Sequence, residues 1–226
     1  MKQIKTLIKT ALNYVLLSRE ERRHSMVGPS HSWKMKRDFQ INFLKRQGLQ
    51  TDHYLLDIGC GTLRGGIPLI DYLQAQHYFG TETRSDTLRE GRKELSDAKL
   101  DDKQPTLVLS TDVAELGIDQ EFDYIWAFSV LIHMNDEILE STLRFASQHL
   151  STGGIFFANV NIGDMKEGQW EEFPVVARTF EFYSNLCAGN GLDIIDIGSL
   201  KENGHISNAD SQDNQRMLKI TKKRAP

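Results

Sequence analysis

The chain alternates between short apolar runs and segments whose apolar residues recur every three or four positions. The first pattern predicts buried strands, and the second predicts helices with one buried face. The predicted strands cover residues 53–59, 77–82, 105–110, 122–130, 153–160, 192–199 and 215–222. The predicted helices cover residues 63–74, 85–96, 136–150 and 174–188, with a short helix or turn at 113–116. This alternation predicts a doubly wound α/β fold, with helices on both faces of a parallel sheet.

The last two predicted strands follow each other without a helix between them. Only the polar loop 200–214 separates them, which is typical of a hairpin and not of a crossover. The final strand is therefore expected to run antiparallel to the others.

The first 49 residues have a different character. Apolar positions in residues 2–17 fall on one helical face with lysines beside it, a charged linker follows at 19–24, and a second helix is predicted from 30 to 47. We expect residues 1–49 to form a basic helical extension or cofactor lid on a domain of residues 50–226.

Charge is distributed unevenly over these two parts. Residues 1–49 contain eleven lysines and arginines against three acids, a net charge of +8, which leaves −12 for the remainder because the total is −4. The basic arm indicates an anionic or membrane-surface contact through residues 1–23. The alternative is docking of the arm onto the acidic body, within one chain or across a homodimer.

The remaining composition excludes several classes. No apolar stretch is long enough to cross a membrane, and the N-terminus lacks the pattern of a secretory signal. The two cysteines, Cys60 and Cys187, lie far apart and show no metal-ligand spacing, so a reduced, cytoplasmic protein without a metal is expected.

A glycine-rich turn follows the first predicted strand, in the sequence LLDIGCGTLRGG at residues 55–66. Gly59, Cys60 and Gly61 form the turn into the next helix, where missing side chains let a ligand approach the backbone. Glu82 ends the second strand, 23 residues after Gly59, where an acid can accept hydrogen bonds from the two hydroxyls of a ribose. Together they predict a cofactor of the adenosine type.

Three further features favour S-adenosylmethionine over a nicotinamide. Arg64 stands where a dinucleotide turn has its third glycine. Asp57 precedes the glycines by two residues and can bind an amino group. Asp112, after the third strand, can accept a hydrogen bond from an adenine amino group.

With these residues the sequence resembles the class I S-adenosylmethionine-dependent methyltransferases over residues 50–222. The resemblance rests on LLDIGCGTLRGG, YFGTE, STDV, FDYIWAFSVLIHM and GGIFFANV, and is greatest to bacterial members that tailor small molecules and glycans. It implies a seven-stranded sheet with the last strand inserted antiparallel between the fifth and sixth. It also implies that Asp57, Gly59 and Gly61 hold the amino acid end of the cofactor, Glu82 the ribose, and Asp112 with Val113 the adenine. The full predicted cofactor set is Asp57, Gly59, Cys60, Gly61, Arg64, Glu82, Thr83, Thr111, Asp112, Val113, Phe128 and Ser129. For Arg64, contact with the cofactor carboxylate and pairing with a sheet-edge acid both remain open.

Two histidines are candidate catalytic bases for a hydroxyl acceptor. His133 follows the fourth strand, near the expected position of the sulfonium, and histidine titrates near neutral pH. His205 is the second candidate, because the loop between the last two strands is expected to hang over the site. Either histidine could instead have a structural role, His133 as a helix cap or as a partner of a backbone group, and His205 as an exposed loop residue. Asn159 and Asn161, at the end of the fifth strand, could orient a polyol acceptor.

The sequence therefore predicts an O-methyltransferase for a small polar acceptor such as a sugar or the end of a surface glycan, with S-adenosylhomocysteine as product. The alternatives are an N-methyltransferase, a nicotinamide oxidoreductase and an inactive cofactor-binding partner subunit. A nucleic-acid substrate is disfavoured by the pI of about 6.0. The expected location is cytoplasmic, with contact to the inner membrane face as an addition.

Overall fold

A computed structural model of the chain describes residues 18–163 and 168–223. The predicted amphipathic helix at 2–17 lies outside these residues. The helices are α1 (Arg19–Ser25), α2 (Trp33–Arg46), α3 (Gly66–Tyr72), α4 (Ser85–Asp97), α5 (Asp136–His149), α6 (Phe180–Gly189) and α7 (Asp210–Asp213). The strands are β1 (Leu55–Ile58), β2 (Tyr78–Glu82), β3 (Thr106–Leu109), β4 (Phe122–Ala127), β5 (Leu150–Val160), β6 (Gly168–Trp170), β7 (Phe173–Val175), β8 (Leu192–Ser199) and β9 (Arg216–Lys222).

Seven of the strands form one sheet in the order β3-β2-β1-β4-β5-β9-β8. The pairs from β3 to β5 are parallel, and β9 is antiparallel to both β5 and β8. The predicted doubly wound α/β class and the antiparallel insertion of the last strand are confirmed. The strand order reverses between β1 and β4, so the carboxyl ends of these two strands flank the crevice in which such folds bind ligands.

Two hydrophobic cores lie on opposite faces of the sheet. Helices α2, α3 and α4 cover one face, with Phe43 and Leu69 fully buried. Helices α5 and α6 cover the other, with Leu139 and Cys187 fully buried. Helix α2 thus contributes to the core although the boundary predicted at residue 49 separates it from the domain. That boundary stays a prediction.

The predicted charged linker at 19–24 is wrong, because these residues belong to α1. Ser18 and Glu21 form a reciprocal capping box at its start. The buried side chain of Arg23 then pairs with Glu94 and, at 2.8 Å, with Asp97 on α4. At Arg23, therefore, the basic arm docks onto the acidic body within one chain.

The segment after β5 also differs from its prediction. Residues 168–175 form the β6–β7 hairpin, and α6 begins only at Phe180, where Thr179 caps the helix by accepting a hydrogen bond from Phe182 N–H. Pro174, predicted to start a helix, lies in β7. Among the described residues no helix is both long and apolar enough to span a membrane.

Candidate active site

A cavity of about 560 Å³ opens at the carboxyl ends of β1, β2 and β4. Its walls come from the glycine turn, the residues that follow β2 and β4, the segment before α2, α2 itself and the β6–β7 hairpin. Its volume lies in the range of small-molecule sites, roughly 300–1,000 Å³. Of the predicted cofactor set, the cavity is lined by Asp57, Gly59, Cys60, Gly61, Arg64, Glu82, Thr83, Thr111, Phe128 and Ser129.

The glycine turn is a bare wall of this cavity. Gly59 and Gly61 have φ of 71° and 60°, which favours glycine. A Cβ at Gly59 would come within 2.5 Å of Val130 Cγ2, and one at Gly61 within 2.8 Å of Val27 Cγ1. Cys60 donates its backbone N–H to Thr81 O at 2.8 Å, and burial raises the pKa of its thiol, so its backbone is what serves the turn.

Asp57 lies at the inner end of the cavity. Its Oδ2 accepts a 2.6 Å hydrogen bond from the Tyr78 hydroxyl, and burial raises its pKa to about 7 in spite of that bond. A cationic group entering the cavity beside this carboxyl stabilises its ionised form. Asp57 is therefore suited to bind an ammonium group.

Glu82 joins the glycine turn after β1 to the residues that follow β2. Its Oε2 accepts from Gly61 N–H at 3.0 Å, and its Oε1 accepts from the N–H groups of Thr83 and Arg84 at 2.9 Å each. These bonds fix the carboxyl group on the cavity wall, where its remaining lone pairs can accept from a ligand.

Asp112 and Val113 do not line the cavity among the described residues. The Asp112 carboxylate caps a short 3-10 helix by accepting from Ala114 N–H at 2.9 Å, and it accepts from the Ser141 hydroxyl. Val113 is buried in the core beside α5. Their predicted contact with adenine stays a prediction, and Thr111 is the neighbour that reaches the cavity.

His133 lines the cavity next to the hairpin. Its Nδ1 lies 2.7 Å from the carbonyl oxygen of Pro174, and its ring packs against Trp170 with 5.3 Å between centroids. A carbonyl only accepts hydrogen bonds, so Nδ1 carries the proton of the neutral ring and Nε2 carries the lone pair. Burial lowers the pKa of His133, which keeps the ring neutral near pH 7. These are the properties of a general base.

His205 has a different environment from the one predicted. Its side chain is 1% exposed, does not line the cavity, and bonds through Nδ1 to Asp213 Oδ1 at 2.8 Å. Phe39 packs edge-on against its ring. The expected placement of His205 over the site is therefore wrong, and so is the alternative of an exposed loop histidine. The loop folds inward because Asp213 holds both His205 and Ser207.

Asn159 and Asn161 are also engaged with protein groups. Gln215 accepts from Asn159 at 2.6 Å and donates to Asn161 at 3.0 Å, while Asn159 Oδ1 accepts from Ser129 N–H at 2.7 Å. Ser129, with φ of 59°, is held by that bond in the left-handed region. The asparagines therefore brace the cavity floor from behind, and Gln215 is the member that lines it.

Comparison with known proteins agrees with this geometry. Residues 56–156 match a family model described as a methyltransferase domain. This segment is a methyltransferase domain. A search of curated proteins found no significant relative.

Solved structures of similar fold include several methyltransferases. An S-adenosylmethionine-dependent methyltransferase from Clostridium acetobutylicum ATCC 824 shares 18% identity, covers 85% of this chain and 92% of its own, and has a TM-score of 0.64. Magnesium protoporphyrin IX methyltransferase from Synechocystis PCC 6803, with bound S-adenosylmethionine, shares 15% identity over 95% and 96% at a TM-score of 0.63. The glycopeptide N-methyltransferase MtfA shares 15% over 82% and 89% at a TM-score of 0.62.

S-adenosylmethionine, and not a nicotinamide, is the cofactor of this methyltransferase. The residues present fit the molecule. The acid Asp57 suits its ammonium group, the acid Glu82 suits its ribose, and the bare turn between them leaves room for its backbone contacts.

Two arginines of the methyltransferase site make contacts that the sequence did not predict: Arg64, which is in the predicted cofactor set, and Arg84, which is not. Arg64 donates from Nη1 to Val27 O at 2.8 Å, so it holds the segment before α2 against the glycine turn. Arg84 donates to Met26 O at 3.0 Å, pairs with Glu171 at 2.7 Å and stacks on Trp170. The two arginines tie the N-terminal segment and the hairpin over the cavity. Contacts between segments so distant in sequence leave no local pattern.

Proposed function

We propose that this methyltransferase methylates a hydroxyl group of a small polar acceptor, such as a sugar or the end of a glycan. The observation that carries the proposal is the environment of His133. Its Nδ1 is committed to Pro174 O, and its Nε2 has no hydrogen-bond partner among residues 18–163 and 168–223. A hydroxyl needs a base to take its proton during transfer, and a positioned base contributes about 10²–10⁴-fold.

The cofactor supplies the methyl group and a neutral leaving group. His133 would accept the proton of the acceptor hydroxyl on Nε2, which leaves the acceptor oxygen as the nucleophile. Pro174 O keeps its hydrogen bond to Nδ1–H throughout, and that bond stabilises the imidazolium that forms. Asp57 and Glu82 would hold the ammonium group and the ribose of the cofactor, which would align its methyl group with the acceptor.

The polar acceptor is supported by groups on the cavity wall beyond the cofactor residues. Lys36, Gln212 and Gln215 bring an ammonium and two amides, while Trp170 and Phe173 bring ring faces next to His133. The resemblance to glycan-tailoring members points in the same direction.

The location we propose is the cytoplasm, with the basic arm contacting an anionic membrane surface. Its support is the +8 charge of residues 1–49. Sedimentation with vesicles of phosphatidylcholine, with and without phosphatidylserine, tests this contact. Equal binding to both compositions contradicts it.

A panel of matched hydroxyl and amine acceptors, with methyl-labelled cofactor, tests the reaction. The proposal expects label in methyl ethers and loss of most turnover in His133→Gln. Label confined to amines overturns the hydroxyl assignment and favours N-methylation, the reaction named for MtfA.

A further inference from the structure

Lys36 is a buried lysine that the mechanism above does not use. It lies on α2 with 6% of its side chain exposed and lines the cavity. Within the described part of the chain, its Nζ has no hydrogen bond and no ion pair within 4 Å. Lysine is almost never this buried without a partner, because removing an ammonium from water is costly.

Arg64 places a second cation in the same region. It too is buried and lines the cavity, Nη1 bonds only a neutral carbonyl, and Nε has no partner among the described residues. Burial, and secondly the charge of Arg64, lowers the pKa of Lys36 to about 8. Burial likewise lowers the pKa of Arg64 to about 10. The two cations thus repel each other in a poorly hydrated space.

The nearest acids do not neutralise this pair. Asp213 attracts Lys36 but is committed to His205 and Ser207. Asp57 attracts Arg64, yet it bonds Tyr78 and forms no ion pair within 4 Å with Arg64. An anion bound between the cations would remove the repulsion and satisfy their free N–H groups.

Amide groups complete the surroundings of Lys36. Gln40, one helical turn further along α2, is held by Trp126 Nε1–H at 2.9 Å and by the carbonyl of Lys36 at 3.2 Å. Gln212, on α7, and Gln215, just before β9, line the same cavity. These amides flank the cations with neutral polar groups and add no further charge.

We propose that Lys36 and Arg64 form a carboxylate-binding site in the cavity. A guanidinium beside an ammonium matches a carboxylate, because each oxygen then receives a charge-assisted hydrogen bond. The carboxylate has two sources, the amino acid tail of the cofactor or an acidic group on the acceptor. The proposal rests on the cavity and its cofactor and not on whether the acceptor atom is oxygen or nitrogen, so it can fail independently of the hydroxyl assignment.

The test uses Lys36→Met, which keeps the length of the side chain and removes its charge, with Lys36→Arg as a rescue. Lys45→Met is the matched control, since Lys45 lies on the same helix but is exposed and stacks on Tyr72. Calorimetry measures the affinity of each variant for S-adenosylhomocysteine and for 5′-methylthioadenosine, which has the same nucleoside without the amino acid. Ligand-observed NMR compares glucuronate with glucose on enzyme saturated with S-adenosylhomocysteine.

If the cofactor supplies the carboxylate, Lys36→Met lowers the affinity for S-adenosylhomocysteine by about 10- to 100-fold and leaves the affinity for methylthioadenosine unchanged. If the acceptor supplies it, Lys36→Met keeps cofactor affinity and loses a preference for glucuronate over glucose. Lys36→Arg restores the wild-type affinity or sugar preference in either case, and Lys45→Met changes neither. The ligand-free Lys36→Met protein is also expected to melt at a higher temperature, because it no longer buries a lone charge. The proposal is overturned if both affinities and the sugar preference are the same in Lys36→Met and wild type.

Discussion

The Nδ1 atom of His133 lies 2.7 Å from the carbonyl oxygen of Pro174, so the β6–β7 hairpin fixes the tautomer of the proposed base. The Pro174 carbonyl thereby links the position of the hairpin over the cavity to the tautomer that takes the proton. Only when the hairpin lies over the cavity is Nε2 held as the basic nitrogen.

Replacing this base is expected to remove catalysis and keep cofactor binding. His133→Gln should lower kcat by about 10²–10⁴-fold, because Nε2 of His133 is the atom proposed to take the proton. The Kd of S-adenosylhomocysteine, measured by calorimetry, should stay within a few fold. His53→Gln is the control, since His53 precedes β1 at the opposite end of the strand and bonds Gln50. Unchanged turnover in His133→Gln would remove the base assignment and leave the fold untouched.

The same residue predicts the pH dependence of turnover. Burial lowers the pKa of His133 below its usual 6.5, and the neutral ring is the active form. At saturating substrates, kcat should rise with pH up to that lowered pKa and stay level through neutral pH. The residual kcat of His133→Gln should not show this rise with pH. A wild-type limb centred above pH 7 contradicts the assignment.

Asp57 predicts a separate pH dependence, in cofactor affinity. Its raised pKa of about 7 means that the empty site is protonated below pH 7, whereas an ammonium binds the ionised form. The affinity for S-adenosylhomocysteine should therefore fall by up to about tenfold per pH unit below 7. Methylthioadenosine, which has no ammonium, should show no such fall, and Asp57→Asn should bind S-adenosylhomocysteine weakly at every pH. A slope shared by both ligands would place the titrating group elsewhere.

The glycine turn provides a matched pair of alanine variants. Gly61 and Gly117 have nearly equal φ, 60° and 58°, so alanine costs each about 1–2 kcal/mol of backbone strain. A Cβ at Gly117 meets nothing within 4 Å, whereas one at Gly61 meets Val27 on the cavity wall. Gly61→Ala should therefore lose more stability in thermal melts and should have a lower affinity for S-adenosylhomocysteine. Gly117→Ala should keep the wild-type affinity. Equal affinities would mean that the turn does not touch the cofactor.

The contacts of Arg84 are expected to hold the β6–β7 hairpin in place over the cavity. Its side chain joins Met26 O, Glu171 and the rings of Trp170 and Phe173. Arg84→Met should loosen the hairpin and make Trp170 fluorescence more accessible to acrylamide, because Trp33 and Trp126 are buried. Arg92 lies on α4 and donates to Leu107 O on β3, so Arg92→Met is a control that loses a bond away from the hairpin and should leave quenching unchanged. Identical quenching in all three proteins would show that Arg84 does not hold the hairpin.

The sequence predicts most of the fold because each strand is a short apolar run with its own boundary. It predicts the turn and its acids equally well, since Asp57, Gly59, Gly61 and Glu82 lie at fixed distances from strand ends. Arg64 is in the predicted cofactor set, but its bond to Val27 and the position of Lys36 depend on how α2 docks on the sheet, which no local pattern records. His205 was misplaced because its polar loop folds around Asp213, a contact between two loop residues that hydropathy does not reveal. The hairpin was missed because Pro174 and the apolar residues after it also suit a helix start.

The most direct test of the account is the chemical identity of the methylated product. Wild type and His133→Gln are incubated with methyl-labelled cofactor and acceptor pairs that differ only in a hydroxyl or an amine, and the labelled products are identified by mass spectrometry. The account predicts methyl ethers from the hydroxyl members, formed at least about a hundredfold more slowly by His133→Gln. Methylamines alone, or methyl ethers formed equally fast by both proteins, would contradict it.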